Sequence, residues 1–178
     1  MKNINKWLAM TAIGTVLAVG ASAQVQGDGS AQQLQNKVRH ELVMLPFLSV
    51  FDNLSYRVDH GVVTLTGAVT KPVLKSGAGR AVARIEGVTR VVNEIEVLPL
   101  SNFDNRIRMA AYRAIYGHGP LLRYQMGALP SIRIIVRNGN VSLEGVVGSE
   151  MDRTLANMRA NQVPGVFRVS NGLIVSRS

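Results

Sequence analysis

The 178-residue chain has no cysteine, which excludes disulfides, a lipid-modified N-terminus and thiol chemistry together. Its three histidines, His40, His60 and His118, have no metal-ligand spacing to one another or to an Asp/Glu cluster. His60 falls in a turn and His118 in a glycine-rich break, positions of solvated loop residues. No serine occupies a nucleophile elbow, and Gly77-Ala78-Gly79 runs on into Arg80-Ala81-Val82, so the dinucleotide pattern fails. Glu94 and Glu96 share one strand face and read as solvated. No catalytic residue, metal ligand, cofactor site or small-molecule substrate site emerges, and the expectation is a non-enzymatic protein. Long hydrophobic runs are also missing: Trp7 to Gly20 is too short, and too rich in Gly, Ala and Thr, for a permanent membrane span.

That stretch follows Lys2 and Lys6 and ends in Ala21-Ser22-Ala23, the layout of a cleavable signal peptide over residues 1–23. The expectation is cleavage after Ala23, a mature chain from Gln24 and a periplasmic protein stabilised by packing alone. Residues 24–30, rich in Gln and Gly, read as a flexible leader.

The rest is organised by a repeat. Gly61-x-Val63-x-Leu65-x-Gly67-x-Val69 returns as Gly139-x-Val141-x-Leu143-x-Gly145-x-Val147, a shift of 78 residues. The same shift carries Leu54, Tyr56 and Val58 onto Ile132, Ile134 and Val136, and Gly87-Val88 onto Gly165-Val166. A register held over some forty residues signals a duplicated unit. His60-Gly61 and Asn138-Gly139 sit where a tight hairpin wants residues at positive φ. Gly67 and Gly145 fall where a side chain would block a close backbone approach. These glycines read as scaffold.

Each unit reads α-β-β-α-β. The first, over 31–98, opens with a helix striped by Ala31, Leu34, Val38 and Leu42 and stopped by Pro46. Thr70-Lys71-Pro72 starts its second helix, with Thr70 as the capping hydroxyl and an apolar stripe of Leu74, Ala78, Ala81, Val82 and Ile85. Its last strand runs from Val91 to Val97. The second unit, over 101–176, opens with Ser101 and Asp104 as a capping pair and a stripe of Ile107, Ala110, Ala111, Ala114 and Ile115. Ser149 and Asp152 cap its second helix, striped by Met151, Leu155, Met158 and Val163. Relative to the first unit it carries an insertion at 121–130. The fold class is α+β: two tandem units, each a three-stranded mixed sheet with two helices on one face.

Phe51-Asp52-Asn53-Leu54, the Gly61 and Gly67 hairpin, and Gly87-Val88-x-x-Val91-x-Asn93 together resemble a BON domain, the module of osmotically inducible periplasmic proteins. The resemblance covers nearly all of the chain beyond the signal peptide. The second unit has Leu129-Pro130-Ser131-Ile132 in place of the Phe-Asp-Asn-Leu phrase. What the resemblance implies is non-enzymatic support of the envelope under stress and attachment to phospholipid membranes.

Charge points the same way. Residues 24–98 hold 8 basic and 7 acidic groups, whereas 99–178 hold 10 basic and 4 acidic groups, and every basic one there is Arg. Such asymmetry implies an anionic partner for the second unit. Export argues against nucleic acid, and no Gly-x-x-Gly clamp occurs. The candidate lipid- or anion-binding residues are Arg106, Arg108, Arg113, Arg123, Arg133, Arg137, Leu121, Leu122 and Tyr124. Two readings of the insertion stay open: a membrane contact, or Leu121, Leu122 and Leu129 folding back to cover one end of the sheet. The alternative function is a module that binds an envelope protein or itself.

Overall fold

In the computed structural model, residues 27–117, 119–127 and 129–176 are described. The expected signal peptide, the expected leader up to residue 26, and His118 lie outside them. Gly27 to Ser30, expected as the end of the leader, are instead the first turn of helix α1 (Gly27–Val43). The hairpin β1 (Asn53–Asp59) and β2 (Val62–Val69) follows, then α2 (Pro72–Ala83), β3 (Arg90–Asn93) and β4 (Glu96–Val97). The second unit comprises α3 (Asn102–Tyr116), a 3-10 helix (Gly119–Gln125), β5 (Ile132–Arg137), β6 (Asn140–Val147), α4 (Glu150–Asn161) and β7 (Arg168–Val175).

Both sheets place the second strand of the hairpin in the middle. β1 pairs antiparallel with β2, and β3 and β4 pair parallel on its other side; β5, β6 and β7 repeat the order. The strand expected over Val91 to Val97 is broken at Glu94-Ile95. β7 is unbroken at the corresponding residues, yet Asn93 and its repeat mate Asn171 make the same contacts. Each side-chain amide donates to a helix carbonyl, Lys75 at 2.8 Å and Arg153 at 3.0 Å. Each side-chain oxygen accepts from the N–H two residues on, Ile95 or Leu173. One asparagine thus ties the last strand to the second helix in each unit.

The repeated glycines occupy special backbone positions. Gly61, Gly67, Gly87, Gly139, Gly145 and Gly165 all have positive φ, between 75° and 121°. A Cβ on Gly67 would lie 2.1 Å from the carbonyl oxygen of Asn53, and one on Gly145 1.9 Å from that of Ser131. No side chain fits either distance.

The first core joins Val38 and Leu42 of α1 to Val63, Leu65 and Val69 of β2 and to Leu74, Ala78 and Val82 of α2. The second joins Ile107, Ala111 and Ile115 to the inner faces of β5 and β6 and to Ala156 and Ala160. Two helix expectations need correction. Met151 and Met158 of α4 are exposed, and its inner face is Asp152, Ala156 and Ala160, the repeat mates of Leu74, Ala78 and Val82. Thr70 does not cap α2: Lys71 is the N-cap without a side-chain bond, and the Thr70 hydroxyl donates to Asp52.

The units are docked on each other. The connector between α1 and β1 lies along the outer edge of β5, where the Ile134 N–H donates to the Val50 carbonyl at 2.9 Å. The Val50 side chain is buried in the second unit's core. Phe51 packs edge-on against Tyr112 of α3, ring centres 6.2 Å apart. Ala68, Leu98 and Ile135 form a small apolar cluster between the outer sheet faces.

Candidate functional site

Helix α3 begins at Ser101, whose hydroxyl accepts from the Asp104 N–H at 3.1 Å, the cap expected from sequence. The Asp104 carboxylate has a second task that the sequence does not show. Fully buried, it accepts from the N–H groups of Asn138 and Gly139 at 2.9 and 2.8 Å, pinning the β5–β6 turn to the helix. The apolar stripe turns Arg108 inward and leaves Asn105, Arg106, Met109 and Arg113 on the opposite, exposed face.

The structure separates the sequence-predicted site residues into three groups. Arg108, Leu121 and Tyr124 belong to the interior. Arg108 donates to Asn105 at 2.5 Å and to the Val136 carbonyl at 2.8 Å. Burial lowers its pKa, against the raising influence of Asp104 and Asp52. Leu121 lies in the second core, so the insertion does fold back at that residue. The Tyr124 hydroxyl accepts from the Gly148 N–H at 2.8 Å and donates to Asp152 at 2.9 Å.

A second group joins elements. Arg123 lies over the Tyr124 ring and pairs with Asp152 at 2.5 Å. Arg137 pairs with Glu96 of the first unit. Arg133 is half-buried against the first unit and donates to the Ser49 carbonyl over a long 3.4 Å. Burial lowers its pKa too, only partly offset by Tyr116 and Asp52.

The third group is free at the surface. Arg106 and Arg113 are exposed and form no ion pair among the described residues, Arg106 lying over the Phe103 ring at 5.9 Å. Met109, spaced three and four residues from them, is exposed between them on the same helix face. Leu122 and Met126 protrude from the segment that follows. Sequence reasoning had not picked out Met109 or Met126. For Met109 a signal existed: it falls outside the helix's apolar stripe.

The 3-10 helix also repairs the second unit's missing motif. In the first unit Asp52 is buried and accepts from the Thr70 N–H at 2.6 Å, the Thr70 hydroxyl, and the N–H and hydroxyl of Ser49. Gly148 is the repeat mate of Thr70, and its N–H finds the Tyr124 hydroxyl instead. Asp152 supplies the carboxylate from α4, where the first unit has Leu74. Its pKa is lowered by the hydrogen bond from Ser149 first, then by those from Tyr124 and Arg123.

Among the described residues no group of three or more His, Asp or Glu side chains is placed to hold a metal, and no helix is long and apolar enough to cross a membrane. The two α-β-β-α-β units, their shared glycine geometry and their Asn clamps describe one repeated module. The BON domain family model matches it over residues 30–99 and 122–177. The chain belongs to the BON family. The second match begins inside the 3-10 helix, so α3 lies outside it. BON domains attach to phospholipid membranes or to other proteins, are generally non-catalytic, and occur typically in periplasmic proteins. No curated protein matches this chain. Among solved structures it is similar to CdsD, a structural protein of the type III secretion system of Chlamydia trachomatis, at 11% identity and a TM-score of 0.32, covering 82% of this chain and 93% of that one. A second structure, the C-terminal domain of CdsD, gives 12% identity and a TM-score of 0.29 over 86% of this chain and 99% of that one.

Proposed function

We propose that this BON protein is a non-enzymatic, periplasmic binding protein that holds an anionic phospholipid surface through the exposed face of α3. The reading includes export by the 1–23 signal peptide and support of the envelope under stress. The observation that carries it is the pair Arg106 and Arg113, exposed, without carboxylate partners among the described residues, with exposed Met109 between them. Arginine headgroup contacts beside apolar side chains entering the acyl boundary are how a peripheral protein holds a bilayer. Leu122 and Met126 on the adjoining segment add apolar contact of the same kind. Arg108, Arg123 and Arg137 are engaged within the protein, which leaves Arg106 and Arg113 as the exposed, unpaired members of the arginines singled out from sequence.

Each basic residue near an anionic surface contributes about 1 kcal/mol, screened by salt. Arg106→Glu/Arg113→Glu is therefore expected to weaken co-sedimentation with phosphatidylglycerol-containing vesicles by tenfold or more, from about 1.4 kcal/mol upward, with an unchanged melting temperature. High salt should weaken the wild type similarly, and purely zwitterionic vesicles should bind poorly. Undiminished binding by the folded double variant would remove α3 from the contact.

A further inference from the structure

In the second unit the outer edge of β5 is closed. The alternating residues Ile132, Ile134 and Val136 turn their backbone groups outward, away from β6. Tyr116 donates to the Ile132 carbonyl at 2.6 Å, Arg108 reaches the Val136 carbonyl, and the Ile134 N–H meets the Val50 carbonyl. The Ser49–Asp52 turn, closed by the Asp52 N–H donating to the Ser49 carbonyl, therefore covers the edge through one backbone bond, its valine buried and its phenylalanine on Tyr112.

The repeat locates the same seat in the first unit. Ile132 and Ile134 map onto Leu54 and Tyr56 of β1 at the 78-residue shift; with Ile107 matched to Val38, a shift of 69 before the insertion, Arg108, Ala111 and Tyr112 map onto Arg39, Leu42 and Val43 of α1. Those five residues line one cleft of about 380 Å³, with Leu129 and Arg133 of the second unit on its far wall. No hydrogen bond from the described residues reaches the outward N–H of Tyr56, the counterpart of Ile134. The reciprocal occupant would be the second unit's own connector. The 3-10 helix diverts that connector, so it lines the cleft without bonding to the strand.

We propose that this cleft docks an extended peptide segment of another protein, carrying a branched apolar residue for the slot between α1 and β1 and a carboxylate for Arg39 and Arg133. An open strand edge supplies main-chain pairing, and flanking side chains select what pairs. Val50, seated on the β5 edge with its carbonyl on the Ile134 N–H, is the built-in template for the apolar part. The charge preference follows from the two guanidiniums. Arg39 is exposed without an ion pair among the described residues, and Arg133 has only the long bond to Ser49. The neighbouring Asp52 already accepts four hydrogen bonds. This site is separate from the α3 face and does not rest on the membrane reading.

The test is a titration of the 15N-labelled protein, without lipid, with a synthetic peptide of the sequence of residues 47–53, whose aspartate supplies the carboxylate. The expected result is saturable shifts of the Leu54, Tyr56 and Val58 amides, absent with a scrambled peptide. Arg39→Glu, an exposed change that leaves the core untouched, should weaken the peptide about tenfold, corresponding to about 1.4 kcal/mol. Shifts confined to α3 or β7, or none at millimolar peptide, would overturn the assignment. So would a response of the β1 amides to phosphatidylglycerol vesicles and not to the peptide, which would make the cleft a lipid site.

Discussion

Gly67 and Gly145 show how a single hydrogen in place of a side chain holds a sheet together. Each sits at positive φ, 114° and 121°, with the carbonyl of the facing strand where a Cβ would be. The strand crosses its neighbour closely there, and neither backbone is able to retreat without breaking the ladder. Gly67→Ala or Gly145→Ala is expected to destabilise its unit by about 3 kcal/mol, strain and overlap together, as read by urea unfolding. A variant that unfolds like the wild type but no longer binds its partner would instead make the glycine a ligand contact.

At the scale of elements, the two units solve one problem with different residues. The corner after the central strand needs an acceptor for a backbone N–H, supplied by Asp52 from the connector in one unit and by Tyr124 backed by Asp152 in the other. The Asp152 carboxylate is the charge-bearing part, and its folded-state pKa is lowered by its hydrogen bonds to Ser149, Tyr124 and Arg123. A depressed carboxyl pKa contributes stability that is present above the ordinary carboxylate value and lost as pH falls through the lowered one. The stability difference between wild type and Asp152→Asn should therefore be full above pH about 4 and shrink below it. Thermal melts across that range measure it, and a difference independent of pH would show that the carboxylate's charge is irrelevant to the corner.

For the whole molecule, the decisive feature is the connector that leaves one core and enters the other. Val50 precedes β1 in the chain yet is buried among Ile107, Ala111 and Ile134. Removing most of its side chain should cost the second unit about 2 kcal/mol. Hydrogen exchange of Val50→Ala is expected to show lost protection at Ile134 and its neighbours, with Val63 and Leu65 of β2 affected less. Loss confined to the first unit would mean that the connector does not hold the units together. The docking also divides the arginines: Arg133 and Arg137 face the first unit, whereas Arg106 and Arg113 stay exposed on α3.

The sequence alone determined the duplication, the α-β-β-α-β order, the hairpins and the glycine positions. These depend on residues close in the chain or on the 78-residue register, so periodicity and turn chemistry suffice to read them. It went wrong at α4, where apolar Met151 and Met158 outweighed the repeat register that assigns Asp152, Ala156 and Ala160 inward. Only the tertiary structure decided which cations are free. Arg108, Arg123 and Arg133 each have a partner that lies 28, 29 and 84 residues away respectively, beyond the reach of any local pattern. The same holds for the open edge of β1, because an edge is defined by the strand that fails to arrive beside it.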